Sequence, residues 1–585
     1  MILQSLCEQY RLLSKKEDND LSKPGCTLAK ISFGLCIDES GELVGIRDLR
    51  KPKGNKYVPV EKSVPVQNPR SGKNPPPYFL SDKTKYVLGW QSPDAFSSFC
   101  ELHWSLLGEE HPISLFLKKW QPELLESNEI LQPFVDDIKK GVNFVFYLED
   151  EYRYANEDES LVEVYQDYLS SLSEESIGRC LVTGKMTELC RLHDKIKGAG
   201  GNAAGTVLVS FKDFESYGKE QGSNAPIGKE TMTQYVDALN YMLRNPKYHS
   251  RLNDMTFVYW ANRPGNYMDF MKGFFPDKED KDDKEENHEY RNLVQDLIRN
   301  LNMGLPLKHR EYELDPDANI FILGLAPNNA RLAVAFWQVN TFEIFLRRIG
   351  DHYDNLEIVD GYDEVPIWRI LSETMPVKKE KTASSDQDKK KWDEKKKDEK
   401  KGKPSPVMAK SLVSSIFTGG MYPISLYQGI LGRIRADGKV NPVRAGMIKA
   451  YFMRKSKIMK TEEEITVALN ENDSHVSYQL GRLFAVLEMM QKKSADNQIN
   501  LTIKDRYFTS ASTSPLTVFP QLIKLSQHHS AKLKNSGYWE SLKADILDKV
   551  GSVFPSCLNL EEQGRFILGY YQQNKFFYTK KEDKE

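Results

Sequence analysis

The chain has 585 residues, 81 of them Lys or Arg and 83 Asp or Glu, for a formal net charge of -2 at pH 7. That length amounts to about three or four domains of polymer, and 40% hydrophobic with 28% charged residues excludes a collagenous or wholly disordered chain. The near-balance of charge excludes a global electrostatic footprint for nucleic acid, so an anionic partner has to meet a local basic patch.

No run of about 18 apolar residues occurs, and the opening residues Met1 to Arg11 lack the basic n-region and small-residue cleavage site of a secretory signal. The expectation is a protein that neither crosses a membrane nor has one as a partner. Seven cysteines, an odd number scattered along the chain, fit reduced thiols in a cytoplasm better than a disulfide framework.

In chain order, apolar residues at Leu3, Leu6, Tyr10 and Leu13 predict a helix over 2–13. Residues 30–37 predict a strand that turns through Asp38-Glu39-Ser40-Gly41 into 42–46, a hairpin that begins an antiparallel sheet. Prolines, lysines and asparagines crowd 52–77 and predict an irregular loop. A strand follows at 142–148 and a helix at 161–172.

Charge is concentrated at 276–288 and at 377–403, and the second stretch, with almost nothing to bury, predicts a disordered linker. Beyond Pro406 the pattern becomes helical, with segments at 408–417, 424–435, 445–455 and 476–493. In the last of these, Val476, Leu480, Leu483, Phe484, Leu487 and Met490 form a core stripe, with Asp473 or Ser474 placed to cap it. The fold class is therefore α+β. A mixed body at 1–376 with antiparallel strands is followed by a charged linker at 377–406 and a helical bundle at 407–585.

Four glycines in 198–205 precede the apolar run 206–211, so this loop leads into a strand, the reverse of a dinucleotide-binding loop. Gly200, Gly201 and Asn202 would still let backbone amides approach an anion, with Lys195 and Lys197 just upstream. The alternative is a merely flexible surface loop. Residues 222–230 imitate a phosphate-binding loop, but with five residues between the glycines and Glu230 where Ser or Thr must hold magnesium.

Cys180, Cys190 and His193 are three candidate ligands where a structural zinc site takes four, and no CxxC pair is present. No hydrolase elbow, metalloprotease helix or kinase signature occurs, and His528-His529 read as surface residues near a helix end. The expectation is no cofactor, no metal and no catalytic centre. Basic and aromatic residues interleave in 504–508, in Arg433, Arg435 and Lys439, and in Arg444, Lys449, Tyr451 and Arg454. Such a mixture suits single-stranded nucleic acid and equally the two faces of ordinary helices.

Several short motifs taken together resemble the large subunit of the subtype I-C CRISPR surveillance complex, the crRNA-guided assembly called Cascade. They include ISF at 31–33, DLR at 48–50, YVLG at 86–89, CLVTG at 180–184, LHDKIKG at 192–198 and FESYGKEQG at 214–222. Further along come ILGLAPN and NARL across 322–332, RIRAD at 433–437, GRLFAVLE at 481–488, DRYF at 505–508 and QGRFILGYY at 563–571.

The resemblance implies a non-enzymatic subunit that assembles with crRNA-containing Cascade subunits and recognises the protospacer-adjacent motif in double-stranded target DNA. It also implies help in opening the duplex, contact with the displaced single strand and recruitment of a separate helicase-nuclease. In such a machine base pairing reads sequence while protein reads the short motif and the backbone. The family's C-terminal part can also be translated internally as a small subunit, and Met447, Met453 and Met459 stand where such a start would lie.

Two loops combine backbone freedom with Lys and Asn donors, 71–77 and 195–205. Asn74 or Asn202 are the candidates for base edges, and Lys73, Lys195 and Lys197 for phosphates. In the bundle Arg433, Arg435, Arg482 and Arg506 are the candidates for the displaced strand or for neighbouring subunits.

Overall fold

The computed structural model describes residues 2–15, 21, 25–54, 56–67, 70, 75–172, 177–202, 205–211, 218–219, 221–252, 254–275, 284–328, 331–359, 365–376, 405–461, 465–495 and 501–578. The chain forms two compact units, one of residues 13–191 and 223–237, the other of 1–12, 192–222 and 238–585. The helix expected at the start is α1 (Ile2–Leu13).

In the unit built mainly from 13–191, the strand expected over 30–37 is two strands. They are β1 (Cys26–Ile31) and β2 (Phe33–Ile37), divided at Ser32, whose N–H donates to the Asn143 carbonyl at 3.0 Å. β2 pairs antiparallel with β3 (Leu43–Asp48) through the expected hairpin, and Gly41, at φ +81°, makes the turn. β1 pairs instead with β4 (Val60–Pro65), a strand inside the stretch read as irregular. Pro59 and Pro65 sit just before that strand and at its end, where a missing N–H removes little from a ladder.

Helices α2 (Thr84–Val87) and α3 (Pro93–Leu107) precede β5 (Phe144–Leu148), which lies parallel to β2, and β6 (Arg153–Tyr154) closes the sheet in the order β3-β2-β5-β6. Phe33, Leu35 and Ile37 share one core with Phe144, Phe146 and Leu148, while Val145 packs with Ala29, Ile31 and Val64 in a second. Burial on both faces is why these strands read as continuous apolar runs rather than alternating ones. Helix α4 (Glu159–Leu172) adds Tyr165 to the main core.

Helix α5 (Lys229–Arg244) leads to an antiparallel sheet that no periodicity marked, β7 (His249–Leu252), β8 (Met255–Ala261), β9 (Asn319–Asn328) and β10 (Arg331–Thr341). Every residue of β8 is buried. Residues 377–404, read as a linker, lie outside the described residues, as do 276–283 of the other charged stretch, while 284–288 open a helix at Lys284–Asn302.

The helical region runs through α6 (Phe342–Leu356), α7 (Pro406–Thr418), α8 (Ile424–Asp437), α9 (Pro442–Met459), α10 (Val476–Ser494), α11 (Ile503–Ala511), α12 (Pro515–Ser530), α13 (Ser536–Val550) and α14 (Leu560–Tyr578). The architecture is α+β. Helix α10 carries more than the expected stripe, since all of 477–490 is buried. Asp473 does not cap it; its carboxylate accepts from the backbone and imidazole N–H of His475.

Helices α10 and α14 approach backbone to backbone. A Cβ at Gly481 would collide with the Phe566 carbonyl and lie 2.8 Å from the Tyr570 nitrogen, and one at Gly569 would collide with the Tyr478 carbonyl. Gly432, on α8, has nothing within 4 Å of its Cβ direction. Two glycine-to-alanine changes should therefore act with opposite sign. In urea unfolding, Gly481→Ala should destabilise by about 3 kcal/mol through overpacking, and Gly432→Ala should stabilise by about 1 kcal/mol through helix propensity.

Candidate nucleic-acid interface

The glycine-rich segment is an arch with a fixed base. Ile196 and Thr206 exchange two backbone hydrogen bonds, at 2.7 and 2.9 Å, and the Gly205 N–H donates to the Asn202 carbonyl at 2.9 Å. Gly198, Gly200, Gly201 and Gly205 have φ of +87°, +90°, +80° and +89°, a region that side chains with a Cβ disfavour. Glycine is required here by conformation.

Side chains from distant elements hold the arch. The Asn240 amide on α5 accepts from the Lys197 N–H at 2.7 Å and donates to the Lys195 carbonyl at 3.2 Å. Arg251 on β7 donates to the Gly198 carbonyl at 3.1 Å. A parallel bridge joins Val207 to Arg331, with the Leu332 N–H on the Val207 carbonyl at 2.9 Å. The described part of this loop is thus hydrogen-bonded structure rather than free chain. The strand expected over 206–211 amounts to these two bridges, at Thr206 and Val207.

Burial alternates at Lys195, Ile196 and Lys197 as exposed, buried, exposed, so both ammonium groups leave the same side of an extended chain. Among the described residues neither has a carboxylate partner, and the same holds for exposed Arg331 at the start of β10. Asn202, Gly200 and Gly201 are exposed beside them. Arg331 was not singled out from the sequence, because only the bridge to Val207 brings it to the arch.

Lys73 and Asn74 lie outside the described residues, but the base of their loop is described. Arg70 forms a two-pronged ion pair with the carboxylate of Asp82, at 2.5 and 2.7 Å, and donates to the Pro76 carbonyl at 2.8 Å. Its guanidinium lies 3.7 Å from the Tyr78 ring centre and 4.3 Å from that of Tyr86. The side chain of Asp82 is 1% exposed, and it also accepts the N–H groups of Tyr78 and Lys83. Burial is the largest single influence and opposes the charge on Arg70, but the Asp82 hydrogen bonds and the neighbouring charges together outweigh it and hold the guanidinium pKa above its ordinary value.

Just beyond the loop, Leu80 sits at φ +58° and donates its N–H to Nε2 of His103 at 3.0 Å. That leaves the ring proton on Nδ1, which donates to the Phe99 carbonyl at 2.7 Å. Burial pushes this histidine down to about 3.

The arginines of the bundle separate by burial. Arg482 is 2% exposed, and its guanidinium is held by Gln573, Gln479 and the Glu471 carbonyl. That corrects the expectation that it faces a strand, because a guanidinium enclosed by interior acceptors has no surface to present. Arg433 pairs with Asp437 at 3.2 Å. Arg435 is exposed and donates to the Gln563 side chain. Arg506 is exposed, with no ion pair among the described residues.

The interleaved set on α9 is interior as well. Arg444 bridges Glu373 at 2.9 Å and Asp437 at 2.7 Å. Arg454 donates to the carbonyls of Ser415 and Gly420. Lys449, pushed down to about 8 by burial, donates to the carbonyls of Asp354 and Asn355. These cations are therefore neither offered to nucleic acid nor spread on a solvated helix face; they are buried and paired inside the protein. Among the described residues no group of three or more His, Cys, Asp or Glu is placed to hold a metal ion, and no helix is long and apolar enough to cross a membrane.

Compared with known families, the chain matches the family described as CRISPR-associated protein (Cas_Csd1) over residues 6–578. No curated protein matches it.

The Arg70–Asp82 pair should hold the segment 75–83 in place. Removing one partner of a buried pair costs about 3–5 kcal/mol, so Asp82→Ala should speed hydrogen exchange at the Tyr78 and Lys83 amides by about two orders of magnitude or more. Rates equal to those of the parent would show that the pair does not hold this segment.

Acid should loosen the same region. His103 is held neutral in the folded chain, with a pKa of about 3, against about 6.5 when unfolded. Its contribution is complete above about pH 6.5 and declines, as pH falls toward 3, by up to about 1.4 kcal/mol per pH unit. Urea unfolding at pH 7 and pH 4.5 should show a smaller acid loss in His103→Gln than in the parent.

Proposed function

The chain belongs to the CRISPR-associated Csd1 family, and from that premise we propose that it is the non-catalytic large subunit of a type I-C crRNA-guided complex that recognises the protospacer-adjacent motif in duplex DNA. The observation that carries this reading is the glycine arch, whose Lys195, Lys197 and Arg331 are exposed with no carboxylate partner among the described residues. Backbone fixed in this way positions cations and amides against phosphates at little entropic cost on binding. Exposed Asn202 is the candidate in this reading for contact with a base edge.

In this reading crRNA pairing supplies sequence recognition, and the protein assists duplex opening, steadies the displaced strand and recruits the helicase-nuclease. The exposed Arg506 and Arg435 are the bundle residues retained for the displaced strand. An internally started small subunit from Met447, Met453 or Met459 would begin in α9 and keep α10 to α14 whole.

A second reading, an architectural subunit that does not touch DNA, draws on the bundle, where Arg444, Arg454, Arg482 and Lys449 are all engaged internally. One experiment separates the two. Target-duplex binding is measured for the crRNA-loaded complex with and without this chain, on DNA pairs differing only in the bases flanking the protospacer.

Motif recognition predicts discrimination only when the chain is present. For about six neutralised phosphates it also predicts an affinity loss of about a thousandfold between 50 and 200 mM salt. Lys195→Ala/Lys197→Ala should make the log–log salt slope shallower by about 2, and Asn202→Ala should relax discrimination. Equal discrimination without the chain would establish the architectural reading.

A further inference from the structure

Beyond the glycine arch, the unit built mainly from 13–191 contains a cleft of about 470 Å³ whose lining includes Lys83, Lys85, Trp90, Lys139 and Lys140 and no carboxylate. Two of the four lysines are neutralised, Lys139 by Glu126 and Lys140 by Asp137, which also pairs with Arg50. Lys83 and Lys85 have no carboxylate partner among the described residues; the Lys85 ammonium lies 4.9 Å from the Tyr86 ring centre. Ammonium groups gathered on one concave surface repel one another and focus a positive potential that an anion relieves.

The walls are fixed to each other. The Thr84 N–H donates to the Val142 carbonyl at 2.9 Å, its hydroxyl donates to the Ile138 carbonyl at 2.7 Å, and Lys83 bridges to Asn143. Half-buried Trp90 supplies an aromatic wall, with the Lys139 ammonium 5.0 Å from its ring centre. Beside it, Gln91 holds φ +56°, a strained conformation for a residue with a side chain and one that collects at binding sites.

A lone inorganic anion would leave most of this volume and the indole unused. A nucleotide unit fills both, because its phosphate meets ammonium groups while its base stacks on an aromatic ring. We propose that this cleft binds one nucleotide unit, the phosphate on Lys83 and Lys85 and the base on Trp90. The proposal needs neither duplex recognition nor the glycine arch, so its failure and that of the function proposed above are separable. The unit has two sources, a segment of single-stranded nucleic acid or a free nucleotide, and the test distinguishes them.

The measurement is fluorescence polarisation of a labelled 12-residue oligothymidine with the full chain across a salt series. Lys83→Ala/Lys85→Ala should make the salt slope shallower by about 1.4. Trp90→Ala should weaken binding about five- to a hundredfold, with Trp90→Phe retaining most of it. Thymidine monophosphate that displaces the probe identifies a free-nucleotide site, whereas loss in the variants without such displacement identifies a strand segment.

Crosslinking of the unmodified protein to an oligonucleotide carrying 4-thiothymidine gives a second readout that does not depend on any variant folding. Crosslinks should map to 83–92 or 139–141. Crosslinks found only elsewhere, or probe binding unchanged in all three variants, would overturn the proposal. So would displacement by polyglutamate without any oligothymidine binding, which would mark a site for an acidic protein segment.

Discussion

The constraint on which the larger unit depends is the crossing of α10 and α14 at Gly481 and Gly569, where two helix backbones touch with no side chain between them. So close an approach leaves no room for water. Every polar group near the crossing has to find its partner inside the protein or leave a donor or acceptor unsatisfied at about 1–3 kcal/mol. Most of the pairings are present, the side-chain amide nitrogen of Gln573 being the exception. Tyr570 donates to Glu488 at 2.7 Å, Glu488 also receives Lys492 at 2.6 Å, and Tyr478 donates to Gln572 at 2.5 Å. Arg482, which reads in isolation as a cation on offer to DNA, is one more member of this network.

The same accounting applies to every cation that a nucleic-acid hypothesis invokes. Burying a charge without a partner is costly, so a buried arginine has already been matched to acceptors. Releasing it to a phosphate would leave those acceptors bare. Arg444, held between Asp437 and Glu373, and Arg454, held by two carbonyls, therefore serve folding. What remains for an external anion is the set that is exposed and carries no carboxylate partner among the described residues. Lys195, Lys197, Arg331 and Arg506 are in that set, and so is the cleft lysine Lys83, with half-buried Lys85 beside it. A near-neutral chain can thus present locally positive surfaces, as the balance of 81 basic and 83 acidic residues requires.

Local features were legible in the sequence and non-local ones were not. The helices of the bundle follow from spacings of three and four, and the β2–β3 hairpin from its turn, because both are written within about 20 residues. The β7–β10 sheet joins 255–261 to 319–328 across a charged stretch, and β4 hides among prolines that sit where its ladder tolerates them. Residue chemistry was legible at the glycine arch, where positive φ demands glycine. Whether an arginine faces solvent or Gln573 depends on which helix lies opposite, and helical periodicity carries no information about that. The cleft was invisible for the same reason, since Lys83 and Lys85 meet Lys139 and Lys140 only in three dimensions.

The two loops singled out from composition are built on different principles. The arch at 195–205 is shaped by its own glycines and tied by two hydrogen bonds from Asn240 and one from Arg251. The described residues that flank 71–74 are held by a buried ion pair, where Asp82 receives Arg70 and two backbone amides at once. A charge pair in low dielectric is worth more than one in water but fails as a unit when either member is lost. The first fails when one of its positive-φ glycines is replaced, and the second when either member of the ion pair is removed.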